Sequence, residues 1–287
     1  MARFCRGPGP MKRIEFIGAP LSHAQTPGIL NPVLEAAKED LRVVCRETEE
    51  RDLAAYLAAA RQDLDIVGLV VTTPLKRAIC AHLDQATQLA HLTGSSNCVR
   101  VDEGATIGAN FDGFGLALAM IEAGLSPAAK TILLCGCGGA GAAIAASLVM
   151  FSGMKLSIYD PERAKTSDFI RRLRAFAPAA VVSAVEEPSG AFDIVINASP
   201  VGMNAGDPIA IPAAVVERAG AVVDIVAAPT TRLRELALAR RNSVVAGHAM
   251  VRAQAQLLRR FICSRAESEA DTIRAEGVTG IPAIAFP

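Results

Sequence analysis

The chain has 287 residues, of which 51% are hydrophobic and 20% are charged, so it is long enough to form two domains with well-buried cores. Lys and Arg together number 29, as do Asp and Glu, and this balance excludes a bulk electrostatic attraction to nucleic acid or to a membrane surface. Trp is absent and aromatic residues make up 4% of the chain, which argues further against a nucleic-acid partner that stacks its bases on the protein.

The seven Cys residues are scattered and include no C-x-x-C pair, so we expect a reduced, cytoplasmic protein without a structural zinc or other metal. No apolar run reaches the roughly 18–20 residues that span a bilayer. The N-terminal segment MARFCRGPGP lacks the apolar stretch of a secretory signal. These patterns predict no membrane partner.

The N-terminal part of the chain alternates strand patterns with helical patterns, which is typical of an α/β layer structure. Strands are predicted at 12–18, 41–47, 65–71, 94–101 and 105–108. Helices are predicted at 28–38, at 52–61, after Lys76 to about 82, and at 85–91. Asp52 is expected to cap the second of these helices.

The remainder of the chain begins with a helix at 112–123 that is predicted to cross between two domains. Apolar strands then recur at 131–135, 155–159, 180–182, 193–197, 221–226 and 243–245. They are apolar on both faces, as a parallel sheet covered by helices requires. We therefore predict an α/β protein with an N-terminal substrate-binding domain over 1–113, completed by C-terminal helices in 248–287, and a Rossmann-type doubly wound parallel-sheet domain over 114–247.

The Rossmann prediction depends on residues 131–160, where a strand, a glycine-rich turn, a helix and a second strand follow one another. The turn has the spacing G-x-G-x-x-G, formed by Gly136, Gly138 and Gly141, with Gly139 and Ala140 inside it. In this motif the first glycine turns the chain out of the strand, the second lets backbone N–H groups approach a pyrophosphate, and the third allows close packing of helix on strand. Since the helix N-terminus adds the positive end of its dipole, the segment predicts a dinucleotide site.

Asp160 ends the second strand, 24 residues after Gly136. A carboxylate there accepts hydrogen bonds from both ribose hydroxyls and repels a 2′-phosphate, which favours NAD over NADP as the cofactor. Alternatively, Asp160 caps a helix that begins near Pro161, and the two roles are compatible.

Nicotinamide chemistry requires a group that exchanges a proton with the oxygen being oxidised or reduced. Lys76 follows a buried strand and therefore lies at a carboxyl end, where open sheets bind their ligands. Asp112 lies at the predicted domain junction and is a natural partner for the Lys76 ammonium. The alternatives are a surface Lys and a helix-capping Asp.

These residues lie within blocks that resemble the shikimate dehydrogenase family, which includes the quinate/shikimate dehydrogenases. The blocks occur in order at 17–23 with Pro27 and Asn31, 71–76, 94–97, 108–113, 197–203 and 247–254. The resemblance implies an enzyme that oxidises or reduces ring C3 of a cyclic polyol carboxylate, a small-molecule substrate. It also implies that Lys76 and Asp112 form the catalytic pair.

Further contacts are implied by the same family pattern. Substrate contacts are implied for Thr26, Thr72, Asn97 and Gln254. Cofactor contacts are implied for Asn197, Ser199, Met203 and Gly247, in addition to the glycine-rich turn, Asp160 and Arg163.

The chain departs from the family pattern around the substrate. Ala24 and Thr26 stand near the place of a Ser-x-Ser pair that binds the substrate carboxylate. Phe111 replaces a Thr and Ala227 replaces a Tyr. We therefore expect altered carboxylate recognition and one enlarged wall of the pocket. Asp160-Pro161-Glu162 stands where NADP-using members carry a basic motif, which again favours NAD.

Two alternatives to an NAD-dependent shikimate or quinate dehydrogenase remain open. One is a dehydrogenase for a related ring hydroxy acid of the aminoshikimate type. The other is a regulatory protein that binds NAD without catalysis, although the retention of both Lys76 and Asp112 argues against it. The sequence leaves the oligomeric state open, with a homodimer as one option.

Overall fold

The computed structural model describes residues 11–21, 25–204, 206–264 and 266–275. Two six-stranded sheets with helices packed on them confirm the predicted α/β fold. The strands of the first sheet lie between residues 13 and 109, and those of the second between 131 and 246. The domain boundaries near 113 and 247 stay a prediction.

The first sheet is mixed. Its strands are β1 Arg13–Gly18, β2 Arg42–Glu47, β3 Ile66–Val71, β4 Gln85–Ala86, β5 Cys98–Asp102 and β6 Ala105–Ala109. They are arranged in the order β2-β1-β3-β5-β6-β4. β1 lies parallel to β2 and β3, whereas β5 is antiparallel to both β3 and β6.

The helices of this first part bury one face each. They are α1 Thr26–Ala36, α2 Leu53–Gln62, α3 Leu75–Ala78 and α4 Gln88–Thr93, with short 3-10 turns at Glu50–Asp52 and Ile79–His82. In α2 the buried residues Leu53, Leu57 and Ala60 recur at helical spacing, so that helix presents one apolar stripe to the sheet.

The second sheet is parallel throughout. Its strands are β7 Thr131–Cys135, β8 Lys155–Tyr159, β9 Val181–Ala184, β10 Ile194–Asn197, β11 Ala221–Asp224 and β12 Ser243–Ala246. Their order is β12-β11-β10-β7-β8-β9. The chain therefore winds outward in both directions from the neighbouring strands β7 and β10, and ligands of such sheets bind at the carboxyl ends beside this switch point.

The helices of the second part cover that sheet and connect it to the first. They are α5 Asp112–Glu122, α6 Gly139–Leu148, α7 Arg163–Phe176, α8 Ala213–Val216, α9 Arg232–Ala239, α10 Gly247–Cys263 and α11 Glu269–Ala275. The long helix α10 packs against α5, α1, β3 and β5, so it returns from the second sheet to the first. Among the described residues, every helix is too short or too polar to cross a membrane.

Some local predictions were wrong. The predicted strand at 94–101 begins only at Cys98, because Gly94 ends α4 in the left-handed conformation and a loop follows it. The predicted helix at 85–91 begins at Gln88, since Gln85 and Ala86 pair with β6 instead. Asp52 lies at the start of α2 without a side-chain capping bond.

Candidate active site

Lys76 and Asp112 come together at the junction of the two sheets. Lys76 lies in α3, directly after β3, and Asp112 is the first residue of α5. Lys76 Nζ lies 2.6 Å from Asp112 Oδ2. The Asp112 side chain is 1% exposed and that of Lys76 is 17% exposed, so the ion pair is shielded from water but open on the lysine side. Neither alternative, a surface Lys or a capping Asp, fits this geometry.

A chain of amide groups continues from the carboxylate. Asn97, in the loop before β5, donates from Nδ2 to Asp112 Oδ1 at 2.8 Å and to Gln254 Oε1 at 3.1 Å. Its Oδ1 accepts a hydrogen bond from the Phe111 backbone N–H at 2.9 Å. Asn97 and Gln254 are both buried, so neither is an ordinary turn or surface residue.

A second set of polar contacts holds the turn that carries Asp112, and sequence reasoning missed it. The Asn110 side chain accepts a hydrogen bond from the Asp112 N–H at 3.0 Å and donates to Ser95 Oγ at 2.9 Å. The Asn110 N–H donates to Glu269 Oε1 at 2.9 Å. Glu269 is fully buried, and burial raises its pKa to about 7. No local motif marks Glu269, which contacts Asn110 across 159 positions of sequence.

The glycine-rich turn has the geometry of a pyrophosphate cradle. Gly136 has φ +101°, and a Cβ there would lie 2.6 Å from the Ser199 backbone nitrogen. A Cβ on Gly141 would lie 2.0 Å from the Gly136 carbonyl oxygen, so only glycine permits this packing. A Cβ on Gly138 would have no atom within 4 Å, which leaves open space before the N-terminus of α6, where Gly139 and Ala140 form the first turn.

Asp160 supports this turn. Its Oδ2 accepts a hydrogen bond from the Cys137 N–H at 2.7 Å, and its Oδ1 accepts one from the Glu162 N–H at 2.9 Å. Helix α7 begins at Arg163 with Glu162 as its N-terminal flanking residue, so Asp160 does not cap a helix that begins near Pro161.

Arg163 faces an acidic neighbour beside the same sheet edge. Its Nη1 lies 3.1 Å from Glu186 Oε1, and both side chains are exposed. A surface pocket of about 480 Å³ is lined there by Arg163, Val185, Glu186, Glu187 and Ser189. The pocket follows the ends of β8 and β9, on the same side of the sheet as Asp160.

The remaining residues with implied cofactor contacts divide into two kinds. Asn197 is fully buried: its Nδ2 donates to Asp224 Oδ1 and to the Val201 carbonyl, and its Oδ1 accepts from Ser199. Its side chain therefore shapes the loop after β10. Met203 is 53% exposed, and Gly247 begins α10 beside the Ile225 carbonyl.

A cavity of about 140 Å³ lies between elements of the two sheets. Its lining residues are Phe16, Gln25, Thr26, Thr72, Ile225, Val226, Ala227, Ala228, Arg234, Gly247, His248 and Val251. Two residues with implied substrate contacts, Thr26 and Thr72, thus share one cavity with Ala227. Phe111 lies in the core and packs edge-on against Phe261, so it is not a wall of this cavity. Ala24 lies outside the described residues.

The glycine-rich turn and the Lys76–Asp112 pair adjoin each other. Ser95 Oγ donates a hydrogen bond to the Gly139 carbonyl at 3.1 Å. A Cβ on Gly139 would lie 3.6 Å from Lys76 Cβ. The predicted cofactor and proton-transfer residues therefore belong to one site at the junction of the two sheets.

Comparison with known proteins identifies relatives of this chain. The sequence model of the shikimate dehydrogenase substrate binding domain matches residues 16–99. Over 242 residues, the chain is 32% identical to a shikimate dehydrogenase (NADP(+)) from Rubrobacter xylanophilus, and the match covers 83% of this chain and 85% of that relative.

Solved structures with the same fold include proteins of more than one name. A shikimate 5-dehydrogenase from Listeria monocytogenes, in complex with shikimate and NAD, has a TM-score of 0.78 at 25% identity, covering 95% of this chain and 98% of its own. The ligand-free 5-ketofructose reductase of a Gluconobacter species has a TM-score of 0.75 at 25% identity, covering 92% of this chain and 96% of its own. The coverage and identity shared with the Rubrobacter relative show that this chain belongs to the shikimate dehydrogenase family.

Proposed function

We propose that the protein is a dehydrogenase that transfers a hydride between NAD and ring C3 of a shikimate- or quinate-like hydroxy acid. The observation that carries this proposal is the buried Lys76–Asp112 pair, which lies beside the glycine-rich turn. The relatives support the substrate class, since one is named shikimate dehydrogenase and another was solved with shikimate and NAD.

The turn and α6 fit a dinucleotide. The open space at Gly138 lies at the N-terminus of a ten-residue helix, where unpaired N–H groups and the helix dipole favour a pyrophosphate. When bound, the nicotinamide supplies the hydride chemistry at the substrate carbon. The protein must then handle the proton on the substrate oxygen.

Lys76 is proposed to exchange that proton. Its nitrogen gives a proton to the substrate oxygen when a ketone is reduced and takes one when a hydroxyl is oxidised. Asp112 holds Nζ at 2.6 Å, which fixes the position of the amine and balances its charge when it is protonated. Because Asp112 is itself held by Asn97 and Asn110, the pair is rigid before substrate binds.

The amide groups are proposed to select ring hydroxyls. Asn97 uses Nδ2 for Asp112 and Gln254, and its Oδ1, which accepts from the Phe111 N–H, has a second lone pair that can accept a hydrogen bond from a substrate hydroxyl. Gln254 uses its Oε1 in that network, so its amide hydrogens are the part suited to a substrate oxygen. Thr26 and Thr72 add hydroxyl groups at the cavity wall.

NAD is the proposed cofactor even though the Rubrobacter relative is named for NADP(+). Asp160 lies against the glycine-rich turn and accepts from the Glu162 N–H, and Glu186 and Glu187 line a pocket with Arg163. A 2′-phosphate needs a cation there, but Arg163 is engaged by Glu186 at 3.1 Å. These acids disfavour the extra phosphate and leave Asp160 suited to the ribose hydroxyls.

Two other functions are less well supported. A dehydrogenase for an aminoshikimate-type or other ring substrate is compatible with the short Ala227 and Ala228 side chains at the cavity wall. A regulatory protein without turnover has no use for a buried Lys76–Asp112 pair. Burying an ion pair costs desolvation free energy, and a protein that only binds NAD gains nothing from it.

The test is steady-state NADH formation from shikimate and from quinate, with NAD and with NADP, for the wild type and for Lys76→Ala. We expect turnover by the wild type and a loss of kcat of about 10²- to 10⁴-fold in Lys76→Ala. NAD binding, followed by calorimetry, should be retained. Lys155→Ala is the matched control, since Lys155 is exposed at the amino end of β8.

The outcomes separate the candidate functions. Turnover of neither acid with NAD binding intact would favour a different ring substrate or the regulatory function. Full activity in Lys76→Ala would exclude Lys76 as the proton-transfer residue while leaving the family assignment unchanged.

A further inference from the structure

Arg234 is a buried cation in the wall of the 140 Å³ cavity between elements of the two sheets. It lies in α9, and its side chain is only 8% exposed. Among the described residues that line this cavity, it is the one Lys, Arg, Asp or Glu. Because removing a guanidinium from water costs several kcal/mol unless it is well paired, its position calls for a physical reason.

The Arg234 side chain is held by Asp224 and by two backbone carbonyls. Its Nε lies 3.3 Å from Asp224 Oδ2, and Asp224 is fully buried. Its terminal nitrogens donate to the backbone carbonyls of Ala228 at 2.7 Å and of Pro229 at 3.4 Å. The Asp224 carboxylate thus contacts the guanidinium at Nε alone. A bidentate pair would instead use two nitrogens of the guanidinium.

Donor capacity remains on the outer edge. A guanidinium has five N–H groups, two on each terminal nitrogen. Within the described part of the chain, each terminal nitrogen of Arg234 donates to one backbone carbonyl, so each has a second N–H that a ligand can use. Ala227 and Ala228 line the same cavity as Arg234, and their side chains are only methyl groups.

We propose that Arg234 is a specificity-determining residue that binds the carboxylate of the substrate from the side of the second sheet. The inference rests on the proposed function, because it takes the substrate to be a carboxylic acid. Planar guanidinium groups pair with carboxylates through two parallel hydrogen bonds. Thr26 and Thr72 line the same cavity and can add hydroxyl donors to the same group.

This arrangement accounts for the departures in the sequence. The substitution near Thr26 removes a hydroxyl donor that the family pattern places around the carboxylate, and Ala227 removes a Tyr from the pocket wall. A charged donor from α9 compensates for that loss, and the small side chains at 227 and 228 leave room for it to act.

The test compares an acid with its uncharged ester. Values of kcat/KM are measured for shikimate and for its methyl ester in the wild type, Arg234→Met, Arg234→Lys and Arg232→Met. Arg232 is exposed on the same helix and serves as the matched control. We expect kcat/KM for the acid to fall by about 10- to 100-fold in Arg234→Met, with much less change for the ester. Arg234→Lys keeps a charge beside Asp224 and should show a smaller loss in the same direction.

The results that would overturn the proposal are distinct. Equal losses for acid and ester would give Arg234 a purely structural role. A raised KM for NAD with an unchanged acid-to-ester ratio would assign it to a cofactor phosphate. If Arg234→Met does not fold, Arg234→Lys provides the test. An unchanged acid-to-ester ratio of kcat/KM in that variant refutes bidentate recognition of the carboxylate. A wild type that turns over neither substrate would refute the proposed function and this inference with it. An active wild type, with the same acid-to-ester ratio of kcat/KM in both Arg234 variants, would refute this inference alone.

Discussion

Replacing Glu269 by Gln should change how the stability of the protein depends on pH. Glu269 is fully buried in α11. Its Oε1 accepts hydrogen bonds from Thr87 Oγ1 at 2.5 Å and from the Asn110 N–H at 2.9 Å, whereas its Oε2 has no partner within the described residues. Burial raises its pKa from the ordinary value of 4.5 to about 7, against the opposing effect of these two hydrogen bonds.

The sign follows from proton linkage. Because the folded protein binds this proton more tightly than the unfolded chain, the stabilising contribution is complete below about pH 4.5 and is lost as the pH rises to about 7. A change of one in pKa corresponds to about 1.4 kcal/mol, so the whole contribution is about 3 kcal/mol. Gln cannot titrate, yet its carbonyl oxygen still accepts from Thr87 and Asn110.

The assay is urea unfolding followed by far-UV circular dichroism at pH 5 and pH 8. Between these pH values, the wild type should lose about 2–3 kcal/mol more of its free energy of unfolding than Glu269→Gln. This double difference is independent of any constant cost of placing a Gln amide at the site. Glu267→Gln, at an exposed position two residues earlier, should behave as the wild type. Identical pH dependence in the wild type and Glu269→Gln would refute the reasoning.

Two further predictions concern the cofactor site. Asp160→Ala should lower the ratio of kcat/KM for NAD to that for NADP by about tenfold or more, since it removes the carboxylate that is proposed to accept from the ribose hydroxyls and to repel a 2′-phosphate. An unchanged ratio, measured from initial rates, would rule out Asp160 as the selector. Gly136→Ala should raise the Kd for NADH at least about tenfold in a fluorescence titration, because φ is +101° and the new Cβ would lie 2.6 Å from the Ser199 nitrogen. Gly206→Ala, where a Cβ would have open space, is its control, and equal binding by both variants would contradict the steric argument.

The cofactor turn was predictable because its constraints are local in sequence. Gly136, Gly138 and Gly141 lie within six residues, and Gly141 packs against the Gly136 carbonyl inside one strand–turn–helix unit, whereas the close approach of Ser199 to Gly136 comes from the loop after β10 and was not predictable locally. The strand order of the second sheet follows from the same unit, since right-handed crossovers leave few topologies for alternating strands and helices. Local patterns therefore gave the fold class and the place of the cofactor site.

Contacts between distant segments were not predictable in the same way. The Lys76–Asp112 pair was identified through the carboxyl-end position of Lys76 and the family resemblance, whereas its support by Asn110 and Glu269 had no signal at all. Arg234 shows the same limit, because the sequence around Arg232 and Arg234 does not tell which of the two arginines is buried. Only the packing of α9 places one of them beside Asp224 at 3.3 Å.

The site contains two buried carboxylates, each paired with a cation and accepting a hydrogen bond from an Asn side chain. Asp112 is paired with Lys76 and accepts from Asn97 at 2.8 Å, and Asp224 is paired with Arg234 and accepts from Asn197 at 3.0 Å. The cations differ in one respect that matters for chemistry. A lysine amine can give up its proton in a protein, whereas a guanidinium does not. The Lys76 pair is therefore suited to exchange a proton with the substrate, and the Arg234 pair is suited only to hold a negative charge. In the proposed enzyme, the two sheets thus supply different parts of one reaction, with proton transfer from the first and carboxylate recognition from the second.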